Sequence, residues 1–118
     1  MKKHNFKKLQ IWNESMLLIN DVYKITSNLP DFEKFGLRSQ LNRCAVSIAS
    51  NIAEGTSKSS TKHFINFLEH SLGSAFELET QITVCFNLSY ISKEKFLDLE
   101  SKINIIQRKI SAFIISLD

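Results

Sequence analysis

The chain has 118 residues, 43% of them apolar and 23% charged, proportions of one globular domain large enough to fold without a disulfide or a metal. Three Gly and one Pro exclude a turn-rich β fold and favour long uninterrupted helices. The net charge is only +3, no apolar run approaches the roughly 20 residues that span a bilayer, and the two cysteines have no C-x-x-C spacing for redox or zinc chemistry.

Charge is unevenly placed. Lys2, Lys3, Lys7 and Lys8 precede the first acid, so residues 1–8 carry +4 and the rest of the chain −1. Such an arm reads as an anion-binding tail or as a solvated tail that aids solubility. No apolar segment follows these basic residues, so a secretory signal is not expected and the cytoplasm is the expected compartment.

The first helical period runs through Leu9, Trp12, Met16, Ile19, Tyr23 and Thr26. A second row, Leu18, Val22, Ile25 and Leu29, widens its apolar face. A helix is expected at about 7–27, stopped by Pro30, which cannot continue the hydrogen-bond ladder. The second helix, at about 33–53, carries Leu37, Leu41, Cys44, Ala45, Ile48 and Ile52. Gly55 reads as its C-terminal cap. A polar linker rich in N-cap residues leads to the longest helix, at about 60–89, with Phe64, Leu68, Ser71, Ala75, Leu78, Ile82 and Cys85 in register. Gly73 inside it costs ~1 kcal/mol relative to Ala, and close packing against another backbone is the simplest compensation. Ser92 is the expected N-cap of a last helix at about 93–117, lined by Phe96, Leu99, Ile103, Ile106, Ile110, Phe113 and Leu117. Four such helices joined by short connections must run antiparallel. The expected fold is all-α: an up-down-up-down four-helix bundle in one domain, residues 1–118.

Catalytic and metal signatures are missing. No Glu has His three positions later, no Gly-x-Ser-x-Gly elbow or phosphate-cradling glycine loop occurs, and Cys44 and Cys85 read as reduced core thiols. His63 and His70 lie seven apart, which fits either surface histidines or two of the ligands of a metal site. The chain is therefore not expected to be an enzyme and no cofactor is expected. The unusual feature is a polar stripe on the second helix: Ser39, Gln40, Arg43, Ser47, Asn51 and Glu54. It is either a solvated face or a ridge satisfied by another helix or subunit, and mid-helix Ser and Asn, mediocre helix formers, tilt towards the second. Leu17 and Leu18, with Ile105, Ile114 and Ile115, add more apolar positions than one core easily covers, which favours self-association over merely wide helix faces.

Several blocks form a recognisable pattern: Phe6-x-x-Leu9-x-x-Trp12, Phe35-Gly36-Leu37-x-Ser39-Gln40-x-x-Arg43, Asn51-Ile52-Ala53-Glu54-Gly55 and Gly73-Ser74-x-x-Glu77-Leu78-Glu79. They resemble the four-helix-bundle proteins encoded in intervening sequences of bacterial 23S ribosomal RNA genes. That family is similar to the accessory variability determinant protein of diversity-generating retroelements. The resemblance implies a homopentamer around a central pore with an RNA-binding role. Where the family often has two adjacent basic residues this chain has Asn42-Arg43, and Lys58 stands where Arg is frequent, so this copy is less basic.

Two main functions follow as expectations. The first is a homo-oligomeric module binding RNA without sequence preference, through Lys2, Lys3, Lys7, Lys8, Arg38, Arg43, Lys58 and Lys62. The second is a protein-interaction scaffold, for a reverse transcriptase or another protein, with little RNA affinity. A metal or small-molecule bundle is a third, with less support. The expected partners are copies of the chain, RNA and such a protein, with no membrane.

Overall fold

The computed structural model describes residues 4–118, an elongated body of 46 × 24 × 19 Å. Its helices are α1 (Gln10–Thr26), α2 (Leu37–Thr56), α3 (Thr61–Asn87) and α4 (Lys93–Leu117). They form the up-down-up-down four-helix bundle, and the described residues contain no strand. No helix among them is long and apolar enough to cross a membrane. The core is the set of positions that share one face at the 3.6-residue period. Leu18, Val22, Leu41, Ile48, Ile52, Phe64, Leu68, Leu78, Ile82, Leu99, Ile103 and Ile110 are almost wholly removed from water.

Local chemistry moves several helix ends. The first residues form a separate 3-10 turn, Phe6–Lys8, and Leu9 is extended before α1 begins at Gln10. Asn13 explains the break, since its Nδ2 donates to both Lys7 O and Leu9 O, at 3.0 and 3.1 Å. The second helix starts at Leu37, after another 3-10 turn at Asp31–Glu33. There Glu33 folds back so that its Oε1 accepts from Leu37 N at 3.2 Å, meeting a donor that the helix itself cannot satisfy. Ser60 caps α3 by accepting from His63 N, and Ser92 caps α4 by accepting from Lys95 N. Ser89, with φ of 63°, makes the left-handed turn between them.

Both interior glycines differ from expectation. Gly55 does not cap α2; it lies buried within the helix, which continues to Thr56. A Cβ there would stand 2.8 Å from Phe64 and 2.9 Å from Phe67, so glycine is what lets α3 approach α2. Gly73 lies against nothing: a Cβ there would meet no atom within 4 Å. Its helix-propensity cost is not offset by packing within the chain.

The seams differ in tightness. Ser71 Oγ donates to Ile48 O at 2.7 Å, binding α3 to α2 through a buried hydroxyl. Phe86 and Phe96 stack at 4.6 Å between α3 and α4. By contrast the α1–α4 seam holds a groove of about 410 Å³ over Leu17, Leu18, Ile105 and Ile106. Of the surplus apolar positions, Leu18 joins the core and Ile114 is half-buried, whereas Leu17, Ile105 and Ile115 remain exposed.

Candidate nucleic-acid interface

Antiparallel topology gathers the start of α1, the end of α2, the start of α3 and the end of α4 at one end of the bundle. The His4 ring lies 5.4 Å from Phe64 and 5.7 Å from Phe113, which ties the N-terminal segment to α3 and α4. Phe6 packs edge-on against Trp12 at 5.1 Å. The adjoining Lys7 and Lys8 are exposed on their turn, at the same end as Lys58 and Lys62. Lys58 holds its ammonium 4.7 Å from the centre of the Phe67 ring, a cation–π contact that positions the charge without neutralising it. None of these four lysines forms an ion pair within the described residues. Glu54 and Asp118 are exposed acids in the same half of the bundle. Lys2 and Lys3 lie outside the described residues.

The two arginines do not join this group. Arg38 sits at the far end, where Nη2 donates to Leu29 O at 2.6 Å and approaches Asp31 at 3.8 Å. Its guanidinium is spent on holding the α1–α2 connection, which removes it from the proposed phosphate-binding set. Arg43 is exposed on the outer side of α2, one and a half turns from the start of that helix and remote from the lysines.

The polar stripe divides in a similar way. Ser47 Oγ and Ser74 Oγ share a hydrogen bond of 2.6 Å across the α2–α3 seam, and Asn51 Nδ2 donates to Ser47 O and Oγ. These two are satisfied inside one chain, by a neighbouring helix and by the stripe itself, as one of the two expected readings of the ridge has it. Ser39, Gln40, Arg43 and Glu54 carry no side-chain hydrogen bond or ion pair among the described residues, and all but Ser39 are exposed.

Reactive groups are held quiet. Burial first, then the Glu77 carboxylate, pushes the Cys44 thiol up to about 12, and its Sγ donates to Ser74 O. Burial, then Glu33, pushes Cys85 up to about 11. Both thiols stay protonated at neutral pH and are poor nucleophiles. His63 is engaged with its own cap, its Nδ1 lying 2.8 Å from Ser60 Oγ, and His70 packs against Phe67. Among the described residues no group of three or more His, Cys, Asp or Glu could hold a metal ion.

Two features escaped the sequence reading. Gln107, buried on α4, reaches Glu79 Oε1 at 2.9 Å, a polar tie across an apolar seam. Phe32 and Phe35, which no helical period explains, stand out from the α1–α2 connection at 77% and 89% exposure. The available signal was their position between Pro30 and Gly36, outside any helical period.

The model of the 23S rRNA-intervening sequence protein family matches residues 7–112. The chain belongs to this family. Among curated proteins none matches it. Among solved structures it is similar to a protein of unknown function from the S23 ribosomal protein family of Bacteroides thetaiotaomicron. The identity is 24%, the match covers 88% of this chain and 97% of that one, and the TM-score is 0.79. That likeness supports the bundle fold of this intervening-sequence family member and nothing beyond the fold.

Proposed function

We propose that this protein is a non-enzymatic module that self-associates and holds RNA, without sequence preference, on its lysine-rich end. The observation that carries the reading is the convergence of Lys7, Lys8, Lys58 and Lys62 at one end with their charges unpaired. Lysine ammonium groups act as point charges on phosphate and do not read base edges, so sequence tolerance follows. RNA is the polyanion chosen because the family name ties its members to an intervening sequence of 23S rRNA. Assembly into a ring, of five copies by the resemblance, repeats the cluster and turns weak contacts into useful affinity. The raised thiol pKa values and the engaged His63 support a non-enzymatic role. Exposed Phe32 and Phe35 favour a protein contact as well, which is where a scaffold reading finds its support.

Filter binding to a structured RNA over a salt series tests the proposal. The logarithm of affinity should fall with the logarithm of salt by about 0.7 to 0.9 per phosphate contacted, hence by roughly 3 for four contacts. An affinity that stays flat, with nuclease-resistant recovery of a single protein partner, would favour the scaffold instead.

A further inference from the structure

We infer that the Phe32/Phe35 loop of one copy seats in the α1–α4 groove of the next, an inference that rests on the self-association just proposed. The loop has the form of a rigid knob. Arg38 holds its base through Leu29 O, and Glu33 is fixed between Leu37 N and the Tyr90 hydroxyl, which donates to its Oε2 at 3.2 Å. Phe32 leans edge-on against Tyr90 at 6.2 Å, yet both Phe32 and Phe35 keep most of their surface in water. Aromatic rings fixed in that state lose little conformational entropy on docking, which is what an interface anchor requires.

The groove is the concave counterpart. Its apolar floor includes Leu17, 65% exposed, and Ile105. Its volume of about 410 Å³ admits ring-sized side chains. The charges on the two surfaces alternate in a complementary way. The knob carries exposed Asp31 and Lys34 on either side of Phe32. The groove offers Lys24, which has no ion pair among the described residues, and Asp21, which shares the single ammonium of Lys102 with Asp98, a residue beyond the groove's lining, at 3.1 Å each. In such a contact Asp31 would meet Lys24 and Lys34 would meet the Asp21 carboxylate.

Knob and groove are different surfaces, so the contact is heterologous. Each copy still has one of each to offer, and addition continues until a ring closes. This geometry has a distinctive test on the full chain. Phe32→Ser with Phe35→Ser removes the knob, and Leu17→Lys blocks the groove at a position outside the core. By sedimentation velocity the unaltered protein should be larger than a monomer, and each variant alone should be a monomer with an unchanged helical melt. An equimolar mixture of the two should give a one-to-one dimer, because the intact groove of the first accepts the intact knob of the second. A monomeric unaltered protein, variants that keep its mass, or a mixture that stays monomeric would each overturn the inference. RNA retention measured on the same samples reports on the lysine end separately, whatever the masses prove to be.

Discussion

The α2–α3 seam and the α1–α4 seam sit on opposite sides of one bundle and are built from different chemistry. Between α2 and α3, Gly55 removes a side chain where Phe64 and Phe67 press in, and buried hydroxyls bridge the helices at Ser71–Ile48 and Ser47–Ser74. Between α1 and α4, the side chains stop short of closing and the helices are linked by ion pairs at the rim, Lys109–Glu14 at 2.6 Å and Lys102–Asp21 at 3.1 Å. Close-packed apolar contact and short buried hydrogen bonds contribute kilocalories, whereas partly exposed ion pairs contribute at most about 1 kcal/mol each. The tight seam therefore supplies stability, and the open one leaves surface for a partner.

The largest test of this contrast is a pair of truncations. Ile48→Ala on the tight seam should cost about 3 kcal/mol in chemical denaturation, as a cavity in an unyielding core. Leu17→Ala on the open seam should change stability by less than about 0.5 kcal/mol in dilute monomer. Similar losses at both sites would erase the distinction.

Alkaline pH should act through the same tight region. Both Cys44 and Cys85 have thiols raised in the folded chain, to about 12 and about 11 from 9.0. The folded state thus holds its protons after the unfolded chain has released them. Their contribution is fully present below pH 9 and is lost as pH rises through the two folded values. Tyr90, raised by partial desolvation and by its hydrogen bond to Glu33, shifts in the same direction. Denaturation midpoints should be level with respect to these groups from pH 6 to pH 8.5 and decline above it, and replacing both cysteines with Ala should flatten the decline. An undiminished decline in that variant would show that the thiols are not its source.

Smaller effects separate the two glycines. Gly55→Ala should lose about 1 to 2 kcal/mol, because the added methyl overpacks against two phenyl side chains by more than the gain in helix propensity. Gly73→Ala should gain about 0.5 to 1 kcal/mol, since its methyl meets open space. Opposite signs for the same chemical change, read from paired thermal melts, would confirm that one glycine serves packing and the other does not.

Periodicity made the helices legible, because a core-facing stripe is a property of consecutive residues. Helix ends were less legible where a side chain reaches back to the backbone, as Asn13 does to Lys7 and Leu9, or Glu33 to Leu37. Whether Gly55 caps a helix or lies within one depends on Phe64 and Phe67, which belong to another helix. Lysines as a charge reservoir could be read from composition, but their gathering at one end follows only from antiparallel packing. The same limit applies to Ser47, whose partner Ser74 lies 27 positions away, and to Arg38, whose charge is absorbed by the nearby loop. Phe32 and Phe35 were visible as residues; their exposure needed the fold.

The account turns on where phosphate is held, and a matched pair of variants asks that directly. Lys58 and Lys62 flank the start of α3, and Lys93 and Lys95 are the first and third residues of α4, at the opposite end. Lys58→Gln with Lys62→Gln removes the same charge as Lys93→Gln with Lys95→Gln, so net charge is controlled. In RNA binding over a salt series, the first pair should weaken affinity several-fold and reduce the salt slope by about 1 to 2, while the second leaves both near the unaltered values. Equal losses from the two pairs, or none from the first, would contradict a lysine-end interface.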